Sequence, residues 1–174
     1  MKRKAKTKKK NKARTWAKGK VQPIPKGYEG ATPRLVVNGA AQAIEFYKKV
    51  FGAKETMRMA GPDGKIGHAE LLIGTARIML ADEYPDMGIR GPDALGGSPV
   101  SISLYVEDVD AVASRAVAAG AKVVFPVNNQ FYGDRSGRLQ DPFGHIWILA
   151  THIEDVSPAE MQKRFDDWTK QHAK

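Results

Sequence analysis

From Gly67 to Asp82 the chain reads GHAELLIGTARIMLAD, with apolar and polar residues alternating on both sides of a Gly-Thr pair. A period of two belongs to half-buried strands, so the stretch predicts two strands joined by a tight turn, with His68 and Glu70 on one face. Upstream, TPRLVV (residues 32–37) alternates in the same way. The period then changes: in AAQAIEFYKKVFGA, Ala40, Ile44, Tyr47 and Phe51 recur at helical spacing, and Gly52 supplies the stop. KETMRMA predicts another strand and GPDGK (61–65) a hairpin turn. The segment therefore runs strand, helix, three strands.

That pattern is written a second time. VSISLYV opens the copy at Val100, Asp108 is placed to cap a helix in DVDAVASRAVAAGA, and both helices run into Gly-Ala-Lys, at 52–54 and 120–122. KVVFPV is the next strand, GDRSG (133–137) the matching turn, RLQD the third strand, and DPFG leads into HIWILAT. The reading is an α+β domain over 29–152, with modules at 30–82 and 99–152 and a Gly-, Pro- and Asp-rich connection at 83–98. In the last segment, 153–174, Ser157 and Glu160 make a capping box and Pro158 takes the first helical position. Met161, Phe165 and Trp168 form one apolar stripe on that helix, expected to pack on its own domain rather than across a dimer interface.

Composition narrows the function classes. Hydrophobic residues make up 42% of the 174, and no apolar run approaches the roughly 18–20 residues that span a bilayer. The absence of cysteine removes disulfides, thiolate metal sites and cysteine nucleophiles together. The formal net charge of +9 is unevenly spread: residues 1–28 hold twelve Lys or Arg and no acid, while the remainder has sixteen basic and nineteen acidic residues. The basic run repels itself and has no apolar period, so disorder is expected there. A solvated extension is the first reading of it, and weak nucleic-acid contact through residues 2–20 the second, with Trp16 as the one aromatic available to stack. VQPIPKGY (21–28) reads as a linker into the domain. No apolar stretch follows the basic start, as a secretory signal requires, so a cytoplasmic location with no membrane contact is expected.

VNGAAQAIEFYKKVFGA after the first strand, and DPFGHIWIL before the last, resemble the vicinal oxygen chelate superfamily, which includes glyoxalase I, extradiol dioxygenases and bleomycin-resistance proteins. Within it, GHAELLIG, MLADE and DPFGHIWILATHIEDV look most like the PhnB-type branch. The resemblance covers residues 30 to about 152. It implies two tandem βαβββ modules whose curved mixed sheets form a shared cleft, followed by a C-terminal helix, with a homodimer as the default assembly. In metal-dependent members the ligands, usually His and Glu, come from the first and fourth strands of both modules. Carried onto this sequence those positions are Thr32, Met79, Ser101 and Ile148, and 69 residues separate Thr32 from Ser101 and Met79 from Ile148 alike. A hydroxyl, a thioether and an alkane do not replace the nitrogen and carboxylate donors that Zn, Ni, Mn or Fe take. No metal and no cofactor are therefore expected at these degenerate positions. A non-standard metal site started by His68 and Glu70 is kept only as a lesser alternative, because two ligands are too few for a tight one.

Strand alternation separates the faces. With Leu35, Val37, Ala69, Leu71, Ile78 and Leu80 facing the helices, their alternates face the cleft. Arg34, Arg58 and Arg77 in the first module and Arg138 in the second are among those alternates. A guanidinium removed from water needs an anionic or aromatic partner. Glu70 can serve one of them, and the rest then favour an anionic or planar ligand unless they reach solvent at strand ends. Gln140 adds a polar group, and Tyr105, Phe131 and Tyr132 a flat wall. The expected function is metal-independent binding of a small molecule. The alternative is isomerase- or lyase-type proton transfer by His68 or Glu70, with arginines stabilising an enolate-like charge. Glyoxalase I or extradiol chemistry, which relies on a metal, is not expected. A third reading makes the protein nucleic-acid-associated through its basic run. His145 is expected in a structural hydrogen bond, and His152 and His172 at the surface.

Overall fold

A computed structural model describes residues 21–172. The expected nucleic-acid contact through residues 2–20 lies outside the described residues. The described residues divide between Gly30 and Ala31 into two units. In the first, the Tyr28 N–H donates to the Pro25 carbonyl at 3.1 Å, closing a turn after the Ile-Pro pair.

The second unit runs β1 (Arg34–Val37), α1 (Ala40–Phe51), β2 (Lys54–Ala60), β3 (Ile66–Ile73), β4 (Ala76–Asp82), α2 (Pro92–Leu95), β5 (Ser101–Tyr105), α3 (Val109–Ala118), β6 (Lys122–Asn129), β7 (Asp134–Gln140), β8 (Ile146–His152) and α4 (Pro158–His172). The strands form two four-stranded sheets, ordered β1-β4-β3-β2 and β5-β8-β7-β6. β1–β4 and β5–β8 pair in parallel and the other neighbours antiparallel, so both sheets are mixed. This is the expected pair of tandem βαβββ modules with a C-terminal helix.

The copies agree in detail. Arg34 stands opposite Met79 in the first module and Ser103 opposite Ile148 in the second, again 69 residues apart. Each helix start is held by a side chain from the end of its module's last strand. Asp82 Oδ1 accepts the Gly39 and Ala40 N–H groups at 2.9 and 2.8 Å, while Thr151 Oγ1 accepts the Val109 N–H at 2.9 Å. First-turn amides have no partner inside their own helix, so these contacts satisfy groups that burial would otherwise leave exposed to an apolar surround. Asp108 adds its own cap to α3 through the Ala111 N–H, as its position predicts.

Two expected boundaries move. β1 begins at Arg34 rather than Thr32, because Pro33 has no N–H to place in a ladder, although its carbonyl still accepts the Met79 N–H at 2.8 Å. GDRSG is not a turn beyond Gly133. The turn is 130–133, closed by the Gly133 N–H on the Gln130 carbonyl, and Asp134 onward is strand. Gly133 has φ +93°, and a Cβ there would lie 2.2 Å from the Glu154 carbonyl oxygen. Gly137 sits in β7 because the Val127 backbone approaches it, a β-carbon meeting Val127 Cα at 3.1 Å.

One core spans both copies. Tyr47 and Phe51 of α1 pack against Trp147 of β8, with ring centroids 5.4 and 4.4 Å apart. The buried Tyr47 hydroxyl donates to Asp141 Oδ2 at 2.7 Å, and the Trp147 indole N–H donates to the same oxygen at 2.9 Å. Burial first, and the Asp141 carboxylate second, push the Tyr47 hydroxyl well above its ordinary range, so it stays a donor. The other Asp141 oxygen accepts the Phe143 and His145 N–H groups, which shapes the DPFG turn. Among the described residues no helix is long and apolar enough to cross a membrane.

Candidate functional site

With their helix-facing sides committed to the core, the sheets leave their other faces to form sites. On the first module Glu70 is only 7% exposed yet lies on that open face. Arg77 donates to its Oε2 at 2.5 Å, and His68 Nε2 meets its Oε1 at 3.2 Å. Arg77 also donates to Thr56 Oγ1, whose hydroxyl bonds the Glu70 carbonyl. His68, Glu70 and Arg77 thus come together as the alternation implies, in one network.

Arg58 does not join them. A bulge between Glu55 and Met57 sets Met57 opposite Glu70 and Met59 opposite His68, so Arg58 pairs with the helix-facing Ala69. Its guanidinium binds Glu55 through two bonds, at 2.6 and 2.9 Å, beside Glu45 of α1. The expected placement of Arg58 in the cleft is therefore overturned by one extra residue in β2, and Met57 and Met59 occupy the open face instead.

On the second module, the Tyr105 hydroxyl donates to the buried Asp134 at 2.5 Å. Asp134 also meets His152 Nδ1 at 2.8 Å, and His152 Nε2 reaches Asp155 at 3.0 Å. Those two carboxylates, Asp134 first, raise the His152 imidazole above its usual value. His152 is at the surface, as expected. His145 Nε2 donates to the Val36 carbonyl at 3.0 Å, bonding one module to the other as a structural histidine. Gln140 turns to the DPFG loop, its amide at 3.5 Å from the Gly144 carbonyl. Phe131 packs at a tilt against Phe165 and Trp168 of α4, so these residues of the apolar stripe pack on their own domain. The Tyr132 hydroxyl and Ser136 Oγ are 3.2 Å apart.

The edge strands β1 and β5 flank a common cavity of about 550 Å³, closed on a further side by the connection. Its apolar wall includes Val36, Leu95, Val100 and Ile102. Leu95 and Val100 are 65% and 67% exposed, apolar side chains that the fold itself does not cover. Arg34 and Arg90 stand on the wall, no acidic residue lines it, and neither arginine makes a salt bridge among the described residues. Arg90 is the residue that sequence reading missed. It sits in a segment whose Gly and Pro content signalled only a connection.

The positions where a metal would be held do not fit one. Thr32 and Ser101 carry hydroxyls, Met79 a thioether and Ile148 no donor at all. The strand register sets a guanidinium, Arg34, opposite Met79, and a guanidinium repels a cation. Among the described residues no group of three or more His, Cys, Asp or Glu side chains is arranged to hold a metal ion.

The sequence profile of the Glyoxalase/Bleomycin resistance protein/Dioxygenase superfamily matches residues 31–149, which takes in both modules. The chain belongs to that superfamily. One relative is the uncharacterized protein Mb0911c of Mycobacterium bovis, 48% identical over 134 residues, or 75% of this chain and 88% of the relative. Among solved structures, the Arabidopsis thaliana At5g48480 gene product is 28% identical with a TM-score of 0.58, covering 70% of this chain and 97% of that one. The PhnB protein of Bacillus cereus shares the glyoxalase fold at 19% identity and a TM-score of 0.59, over 71% of this chain and 99% of its own. The superfamily match ends at residue 149, before α4.

Proposed function

We propose that the protein binds a small anionic molecule with an apolar body in the cavity between its two modules, without help from a metal. The observation that carries this reading is the pair Arg34 and Arg90, two cations without carboxylate partners among the described residues, on a wall whose other members are apolar residues, serines and His145. About 550 Å³ falls within the roughly 300–1,000 Å³ of small-molecule sites. Apolar groups supply the binding energy, and the guanidinium forks supply orientation toward a carboxylate or phosphate. At β1 the Arg34 charge is the reverse of what a metal-holding site needs.

Octanoate is a suitable probe, titrated calorimetrically against the full chain. Octanoate should bind, octylammonium should not, and Arg34→Gln with Arg90→Gln should weaken octanoate by about tenfold or more, the equivalent of roughly 1.4 kcal/mol. Equal affinity for octanoate in the double variant and the unmodified chain would remove the reading.

A second reading is favoured by the network on the first module. His68 and Arg77 converge on a nearly buried carboxylate, which orients the imidazole as a general base is oriented. In that case His68→Ala abolishes proton exchange at the carbon next to a carbonyl, followed by deuterium incorporation, and leaves octanoate affinity unchanged. Incorporation at the same rate in the variant excludes it.

A further inference from the structure

α4 rests on the domain without burying any of its residues. Phe165 and Trp168 pack on Phe131, yet both stay exposed over much of their surface. The approach to the helix, residues 153–157, is pinned to the turn before β7, where the Ile153 and Glu154 N–H groups both donate to the Gly133 carbonyl at 3.0 Å. Arg164 clamps Glu154 through two bonds, at 2.8 and 2.7 Å, and also reaches the Phe131 carbonyl. An element held this lightly opens at small cost, so each tie to it matters.

A further tie runs through His152. This last residue of β8 stands opposite Asp134, the first of β7. Its Nδ1 lies 2.8 Å from Asp134 Oδ1, and its Nε2 3.0 Å from Asp155 Oδ1 in the approach to α4. A neutral imidazole carries one N–H and an imidazolium two, so only the charged ring donates to both carboxylates at once. The two ends are unequal. Asp134 is buried, its other oxygen accepts the Tyr105 hydroxyl, and His152 is the one cation that meets it among the described residues. The Asp155 side chain is fully exposed and can turn to water instead. A ring that gives up one proton therefore keeps Nδ1–H on Asp134 and presents a lone pair to Asp155. Neighbouring groups are committed elsewhere: Arg135 of β7 to Asp110, Arg164 of α4 to Glu154 and Glu160, and the Tyr132 hydroxyl to Ser136.

We infer that His152 is a pH-operated latch on α4. As an imidazolium it ties the approach to the helix onto β7, and as a neutral ring it lets Asp155 go. The two carboxylates, Asp134 first, raise the imidazole above its ordinary 6.5. The tie is therefore complete below about pH 6.5 and is lost as pH rises through the higher folded value. Release lets α4 lift more often, which uncovers Phe131 and the apolar face of the helix.

The test follows the His152 ring and the α4 amides of the full chain by NMR, from about pH 5 to about pH 9. Losing one exposed ion pair shifts such an equilibrium by about two- to fivefold. Protection of the α4 amides, corrected for intrinsic exchange, should fall by that factor as the ring deprotonates. Asp155→Ala should show the lower protection across the whole range, with the fold intact because that side chain is fully exposed. His172 is a second imidazole on the helix, stacked on Trp168 at 4.5 Å, and His172→Gln should leave the step in place. The latch is overturned if the unmodified chain shows no step, if the step survives in Asp155→Ala, or if it disappears in His172→Gln. A His152 ring that titrates at or below 6.5 overturns it as well.

Discussion

Glu55 accepts from Arg58 and from Lys48, and those bonds, Arg58 first, hold its carboxyl at about 2 instead of its ordinary 4.5. The folded value lies below the unfolded one, so the stability from this cluster is complete above about pH 4.5 and drains away as pH falls towards 2. Urea midpoints taken through that window should fall for the wild-type chain and fall less steeply for Glu55→Gln; parallel curves would show the cluster contributes nothing. The same cluster marks the limit of what single residues disclosed. Alternation placed Arg34, Arg77, His68 and Glu70 on the open face, because a period of two needs only an uninterrupted strand. Arg58 escaped it, since a bulge has no residue signature in KETMRMA and reverses the side chains from Met57 to Met59.

Elements repeat between the modules with different chemistry at equivalent joints. Asp82 receives three backbone N–H groups, from Gly39, Ala40 and Ile66, whereas Thr151 receives one and donates one, to the Val106 carbonyl. Leaving buried donors without an acceptor costs about 1–3 kcal/mol each before relaxation. Asp82→Ala should therefore destabilise by about 3 kcal/mol or more, and Thr151→Val by about 1–2 kcal/mol, in denaturant unfolding. Equal losses would mean that the two joints carry equal weight. The element order was readable because hydrophobic period and turn residues are local. The anchoring role of Asp82 was not, because an aspartate ending MLAD looks the same whether it turns the chain or reaches 42 residues back.

At the scale of the molecule, the modules are written separately in sequence but buried together. Phe51 against Trp147 and the Tyr47 hydroxyl on Asp141 put each copy's interior in the other's keeping. Unfolding should then be a single transition: hydrogen exchange on β3 and β7 amides should report one global free energy, and Tyr47→Phe should lower both by about 1–3 kcal/mol. A loss confined to β3 would show that the halves melt independently. This coupling was beyond sequence reading, since a helical tyrosine and a turn aspartate 94 residues apart each have an ordinary local explanation. The cavity between the modules was hidden for the same reason, because Arg34 and Arg90 come to line one cavity only once β1, β5 and the connection are brought together.

The aspartate that opens the DPFG turn has a consequence for how such a gene can change. Once a duplicated half has entrusted its tyrosine to the other half's loop, neither can be swapped as a cassette into a cousin that lacks the matching partner. Descent can still remodel the rims and the C-terminal helix freely, and new specificities in this lineage should accumulate there.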